Sequence, residues 1–544
     1  MASSDKYFVI AIGGTGMRCL EAFTHMCAMG LFDTKEINIL TLDTDAINGN
    51  KERTENLIRQ YNSIKTTSNA KGGKVNTDTF FSAKLNLFSF YTDYDNSERA
   101  NFKQISQIHS DPDGNNKLLA DLFLDEHVQD FNLAHGYRAQ THLGSYLMYH
   151  AFIEAARSLQ AGTNIKAHEK EFGEFINMVY DAGGDAKIFC FGSVFGGTGA
   201  SSIPVIPKAI NDAIKIRGGD KMALSPDAKF GATLLTEYFS FKKPDAAQKS
   251  KDGNAVIADS SFFTLNSQAA LQFYQDDPTV KSTYKKMYHI GWPIDPLDFS
   301  KDNKDKETIT GGKNQKNPCH ITEFLCSCAA FDFFNSDEGL DGKDAVYLYK
   351  SVKFKDNVLN LNFNDFIGDG KNGKLFARKF GAFVSFMHLA LSKNKGARGD
   401  NGVKGFLNQL KSQNIHHYNS LEDQYTSELN DYLKQFGYSI DQNAFVPGWL
   451  YQVRSTVPGK FVLDDKTYTH NLNELEKFDA GMIFTEKDYH WTGAGSFLGD
   501  SYNTFVKELL EVETEPKEEQ HCSGTNEKFL AHIYNAIRDS QKIN

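Results

Sequence analysis

The chain has 544 residues, 40% of them hydrophobic and 24% charged, with a formal net charge of −10. That length supports a large core divided over two or three domains. The acidic balance argues against a dedicated nucleic-acid binder, which carries a basic face, so no nucleic-acid partner is expected. Seven cysteines without a C-x-x-C pair are a poor disulfide framework, and a reducing, cytoplasmic location is expected.

Met1 to Lys6 leads straight into an apolar run with no leader-like pattern. The longest apolar stretches, Phe324–Phe334 and Phe380–Leu391, are too short to span a bilayer. Tyr7–Ile12 reads as a strand, Gly13-Gly14-Thr15-Gly16 as a tight turn, Met17–Met29 as a helix and Ile37–Leu42 as a second strand ending at Asp43-Thr44-Asp45. Residues from about 50 to 132 read as a polar, irregular insertion, with a small hairpin near Phe80–Tyr91. Gly136–Gly144 enters a helix over Ser145–Leu159, and Glu169–Tyr180 is another. The strand Ile188–Phe191 then runs through Gly192-Ser193-Val194-Phe195 into Gly196-Gly197-Thr198-Gly199 and a helix over Ile203–Ile214.

Further on, Phe230–Leu235 and Met287–Trp292 read as strands, Ser261–Tyr274 as a helix, and Pro318–Phe334 as an apolar, buried helix. Alternation returns at Ala345–Tyr349 and Val358–Phe363, followed by a helix over Leu375–Leu391. The expected organisation is an α/β parallel sheet flanked by helices in residues 1–316, a central helix in 317–340, a second α/β domain in 341–510, and an acidic linker with a terminal helix in 511–544.

A strand that runs into a glycine turn and then a helix brings backbone N–H groups and a helix N-terminus close to an anion. One such turn is commonplace. Two in one domain point to a polyphosphate held from two sides, hence a nucleotide. Gly14-Thr15-Gly16-Met17-Arg18-Cys19 lacks the third glycine of the dinucleotide fingerprint, and neither turn is followed by the Lys-Ser/Thr of a P-loop.

Gly192–Pro204 resembles the glycine–threonine signature of the tubulin and FtsZ superfamily, with its nearest likeness among the large bacterial tubulin-like proteins. Gly13–Gly16 is similar to that superfamily's first phosphate loop, Leu42–Ala46 to its second, Arg138–Gly144 to its third, and Leu235–Phe241 to its sugar loop. The likeness covers roughly residues 7–335. It departs at Phe195, which stands for a glycine, and at Ser145, where FtsZ proteins carry arginine.

The resemblance implies GTP or GDP with Mg²⁺, bound by Gly13, Gly14, Thr15, Gly16, Met17, Asp43, Arg138, Gly144, Gly192, Ser193, Gly196, Gly197, Thr198, Gly199 and Ala200. Asp45 either meets Mg²⁺ through water or satisfies its own turn. Asn266 and Asn317 both begin helices; base recognition is favoured for Asn317, while Asn266 stays open between capping and ligand contact. Hydrolysis in the superfamily is completed across a head-to-tail subunit interface. Asp365, in Asn360–Phe366, is the first catalytic candidate, because Asn362 replaces the expected aspartate, and Glu323 is the second. The implied function is a GTPase that assembles into filaments, with the C-terminal region open to a protein partner. The rivals are a nucleotide-gated module that does not polymerise and, more weakly, an NAD-dependent enzyme. No histidine spacing suggests a metal site.

Overall fold

The computed structural model describes residues 5–33, 35–44, 47–65, 79–92, 101–106, 114–133, 136–137, 139–219, 221–240, 259–292, 297–298, 313–315, 317–351, 353–355, 358–361, 364–367, 371–391, 402–412, 418–421, 423–441, 444–449, 452, 460–463, 466–469, 522 and 524–540. Among them, seven parallel strands form one sheet: β1 (Lys6–Ile12), β2 (Glu36–Asp43), β3 (Lys84–Tyr91), β4 (Ala186–Phe191), β5 (Lys229–Leu235), β6 (Tyr284–Gly291) and β7 (Val346–Ser351). Their spatial order is β3-β2-β1-β4-β5-β6-β7. In β1, Tyr7, Val9 and Ala11 enter one core while Phe8, Ile10 and Ile12 enter the other. Burial on both faces is why the inner strands are unbroken apolar runs.

The principal helices are α1 (Gly13–Ala28), α2 (Gly49–Ile64), α3 (Thr141–Ala161), α4 (Ala167–Ala182), α5 (Gly197–Ser202), α6 (Ile206–Gly218), α7 (Phe263–Asp276), α8 (Ile321–Asn335), α9 (Lys371–Leu391), α10 (Gly402–Ser412), α11 (Asp423–Phe436) and α12 (Thr525–Ser540). Helices α1, α2 and α8 pack on one face of the sheet, and α3, α4 and α6 on the other. Helix α8 is apolar on all sides because it lies between the sheet and an outer layer. Phe376 of α9 and Trp449 pack at a tilt against Phe324 from that layer, with ring centroids 6.0 Å and 4.6 Å away.

The structure corrects four expectations. The polar stretch after residue 50 contains a regular helix and a sheet strand. Leu57, Ile58, Tyr61 and Ile64 give α2 a narrow buried stripe within otherwise polar sequence, and β3 pairs with β2 from Glu36↔Lys84 to Asp43↔Tyr91. Strand β7, expected in a second domain, extends the main sheet instead, pairing with β6 from Lys286↔Val346 to Gly291↔Ser351.

The helix expected at Leu375–Leu391, with α10, α11 and α12 around it, shares a core with α1 and α8 rather than belonging to a separate domain. A four-stranded sheet built from 353–355, 358–361, 460–463 and 466–469 stands apart from the main one. Finally, the single helix expected after Gly199 is two, α5 and α6. The terminal helix α12 turns its apolar residues inward, with Tyr534 against Phe80 at 5.2 Å and Phe529 against Tyr418 at 5.5 Å. No helix among the described residues is long and apolar enough to cross a membrane.

Candidate functional site

The strand order reverses at β1. From β1 the chain moves outward through α1, β2, α2 and β3, then returns to lay β4 against β1's other edge. Connections that leave neighbouring strands in opposite directions open a crevice at the strands' carboxyl ends. The two glycine turns follow β1 and β4, the strands on either side of that point.

The turns touch. Gly13, with φ of +65°, faces Thr198 so closely that a Cβ there would lie 3.1 Å from the threonine Cβ. Helix α1 begins at Gly13 itself, four residues before the expected start. Gly16 lets α1 approach the sheet, since its Cβ would stand 2.6 Å from the Phe191 carbonyl oxygen at the end of β4. Met17 is fully buried, so only its backbone bears on the turn. Gly14, Thr15, Gly196, Gly197 and Thr198 are half-buried and line the opening, whereas Gly199 and Ala200 pack beneath it. The Ala200 carbonyl accepts the Tyr274 hydroxyl at 2.6 Å.

At Gly192 the backbone N–H donates to Thr233 Oγ1 at 3.2 Å, which engages it within the sheet. Ser193 bridges to Leu235 and orients the turn.

The third loop folds onto the second turn. A Cβ at Gly197 would fall 2.8 Å from the Ala139 nitrogen and 3.1 Å from the Tyr137 Cβ. Gly144 lies under the Tyr137 ring and beside Ser201, and Ser145 Oγ donates to the Ser201 carbonyl at 2.8 Å. A Cβ at Gly136 would lie 3.1 Å from Thr44 Oγ1, which joins this loop to the end of β2. There Asp43 Oδ1 accepts the Thr44 N–H at 2.7 Å. Asp45 and Arg138 lie outside the described residues. No group of three His, Cys, Asp or Glu placed to hold a metal occurs among the described residues.

Both asparagines border these turns. Asn266, on α7, donates from Nδ2 to the Phe195 carbonyl at 3.3 Å, and its neighbour Ser267 donates to Glu237 Oε2 at 2.5 Å. Asn317 is held by α2: its N–H donates to Asn50 Oδ1 at 3.0 Å and its carbonyl accepts from Arg53 Nη2 at 2.8 Å. Asn50 in turn abuts the first turn, with Nδ2 lying 3.3 Å from where a Gly14 Cβ would be. Asn48 caps α2, accepting from the N–H groups of Asn50 and Lys51, and its Nδ2 donates to Gln315 Oε1 at 2.7 Å. Sequence reasoning missed this carboxamide group. Asn48-Gly49-Asn50 carries a local capping signal, but nothing local announces that Lys313, Gln315 and Asn317 lie against it.

Glu323 does not suit the catalytic role expected of it. It is fully buried and completes a capping box at the start of α8, accepting the His320 N–H at 2.9 Å. It also accepts the Tyr238 hydroxyl at 2.8 Å and pairs with Arg18 at 3.3 Å. Burial pushes its carboxyl above the ordinary value, and Arg18, the His320 N–H and Tyr238 bring it only part of the way back. A carboxylate enclosed in this way has no path to a neighbouring subunit. Asp365 falls in the short helix Asn364–Ile367, whose Phe366 packs on Phe324 at 5.7 Å; the Asp365 side chain lies outside the described part. No protein-family model matches the chain, and no curated protein matches its sequence.

Proposed function

We propose that the chain is a tubulin-like GTP-binding protein whose two glycine turns cradle one polyphosphate at the β1–β4 crevice. One observation carries this reading: turns far apart in sequence end adjacent strands and meet at Gly13 and Thr198. N–H groups from Gly14 to Met17 and from Gly197 to Ala200 would supply donors, with the dipoles of the helices they open adding partial positive charge. Arg138 would add charge at the terminal phosphate. The Asp43 carboxylate accepts from the Thr44 N–H, and contact with Mg²⁺ through water is assigned to Asp45. Asn317 would read the base, and Asn266 would steady the second turn through the Phe195 carbonyl.

The same reading has molecules associating head-to-tail, a heterologous contact that extends into filaments when it does not close. With Glu323 withdrawn, hydrolysis across that contact rests on Asp365. Asp365→Ala is expected to slow GTP turnover about a hundredfold, the range of a lost general base, with affinity nearly unchanged. Phosphate release from pelleted protein measures it, and undiminished turnover would remove Asp365 from the mechanism.

The reading is tested by identifying the nucleotide that copurifies and by imaging the protein with GTP, GDP and no nucleotide. Filaments only with GTP support it; monomers throughout would leave the nucleotide-gated module. The strand order also suits a dinucleotide, so recovery of NAD alone would establish the enzyme reading instead. Gly197→Val would press against Ala139 and Tyr137 at the lip of the crevice. It is expected to weaken GTP binding at least tenfold while the melting temperature shifts by only a few degrees, as calorimetry and thermal melts would show.

A further inference from the structure

Beside the first glycine turn, one residue is held by its backbone while its side chain is left to other use. The Asn317 N–H donates to Asn50 Oδ1 at 3.0 Å, and its carbonyl accepts from Arg53 Nη2 at 2.8 Å. Both anchors belong to α2, one turn apart. Arg53 is itself braced, its Nε lying 3.0 Å from Glu21 Oε2 on α1, the helix that carries the turn. Asn50 is wholly buried, and its Nδ2, without a hydrogen-bond partner among the described residues, faces Gly14. The Asn317 carboxamide is half-buried and makes no hydrogen bond among the described residues. A fixed backbone with an unengaged amide is a preorganised recognition group. An amide offers a donor and an acceptor side by side, which matches the polar edge of a nucleobase and not a phosphate.

We infer that Asn50 and Arg53 are positioning residues that set the Asn317 carboxamide against the base edge of the bound nucleotide. The inference rests on the nucleotide reading above. In this arrangement α2 couples base recognition to the first glycine turn: Asn50 touches Gly14 with one end of its amide and holds Asn317 with the other.

The test measures binding of GTP, of ITP, which lacks the 2-amino group, and of inorganic tripolyphosphate to the full chain. The wild type is expected to prefer GTP over ITP. Asn50→Ala and Arg53→Ala should each reduce that preference about tenfold, the equivalent of one hydrogen bond to a ligand, with tripolyphosphate affinity held within twofold. In an Asn317→Ala background neither substitution should lower the preference further, because both act through that residue. A merely structural role would weaken all three ligands together and add to Asn317→Ala. Either that result, or an unchanged preference in both variants, overturns the inference. A wild type that binds tripolyphosphate without telling GTP from ITP also overturns it while sparing the phosphate cradle. A wild type that binds none of the three overturns the nucleotide reading with it. Should Asn50→Ala fail to fold, Arg53→Ala, at a partly exposed site, carries the test alone.

Discussion

Arg18→Met is expected to destabilise the protein by about 3–5 kcal/mol, the usual cost of stripping one partner from a buried ion pair. Arg18 is 1% exposed and lies one turn into α1, beyond the first glycine turn. Its guanidinium pairs with Glu21 and, at 3.3 Å, with Glu323. Methionine fills much of the volume but leaves Glu323 facing only neutral donors, the Tyr238 hydroxyl and the His320 N–H. Glu21 is less affected, because Arg53 also reaches it at 3.0 Å. The asymmetry makes a second expectation: Glu323→Gln, added to Arg18→Met, should restore about 2 kcal/mol by removing the stranded charge. Urea midpoints of the single and double variants measure both effects. A single variant within 1 kcal/mol of the wild type, roughly the worth of an exposed pair, would show that the cluster is not the tie between α1 and α8 described above.

Acid should unfold the protein from a higher pH than its carboxylates alone would set. Burial, with a smaller contribution from the Arg18 charge, pushes His25 down from 6.5 to about 3, and burial alone does the same to His320. Between those limits the unfolded chain binds two protons that the folded chain refuses. The stability these two histidines contribute therefore rises with pH, is complete above about 6.5, and is lost as pH falls from there towards 3, while the buried carboxyls of Glu21 and Glu323, held above their ordinary value, act in the opposite sense. Each histidine sets a slope of about 1.4 kcal/mol per pH unit, so the pair approaches roughly 3 kcal/mol per unit.

His25 offers a clean separation of the two. Neither of its ring nitrogens has a hydrogen-bond partner among the described residues, and it sits among the rings of Tyr432, Phe436 and Trp449 at 5.3, 5.6 and 5.7 Å. His25→Phe should halve the pH slope and raise stability at pH 7.5 by about 1 kcal/mol, since it removes buried polar atoms that lack partners. Urea midpoints at pH 7.5, 6.5 and 5.5 check it, and an unaltered slope would assign the acid lability elsewhere.

The elements legible in the sequence were those with local signals. β1 and β4 are apolar runs cut by glycines, and α8 is an apolar stretch too long for a strand, read as starting at Pro318 although its first turn begins at Ile321. Helix α2 was missed because its buried stripe of Leu57, Ile58, Tyr61 and Ile64 is thin against Asn, Glu and Arg. The stretch that forms β3 reads equally as a hairpin or a small subdomain, because a strand's own residues do not name its neighbour. β7 reads into the second domain for the same reason: its Val346–Tyr349 are all exposed, and nothing in them points to β6 as a neighbour. The carboxylate of Glu323 looked available on a helix face, and only the packing of α1, Tyr238 and the α8 cap encloses it.

By itself the sequence determined where the glycine turns fall and which of the long apolar runs would be buried. Backbone freedom at Gly13, side-chain periodicity and helix caps act within a few residues of one another. Tertiary structure alone decided that β4 lies against β1, from Lys6↔Ala186 to Ala11↔Phe191, that Gly13 therefore meets Thr198, and that α2 grips Asn317. Strand neighbours are selected by backbone pairing and by the joint packing of two sheet faces, and those energies belong to segments more than a hundred residues apart, not to any window of sequence.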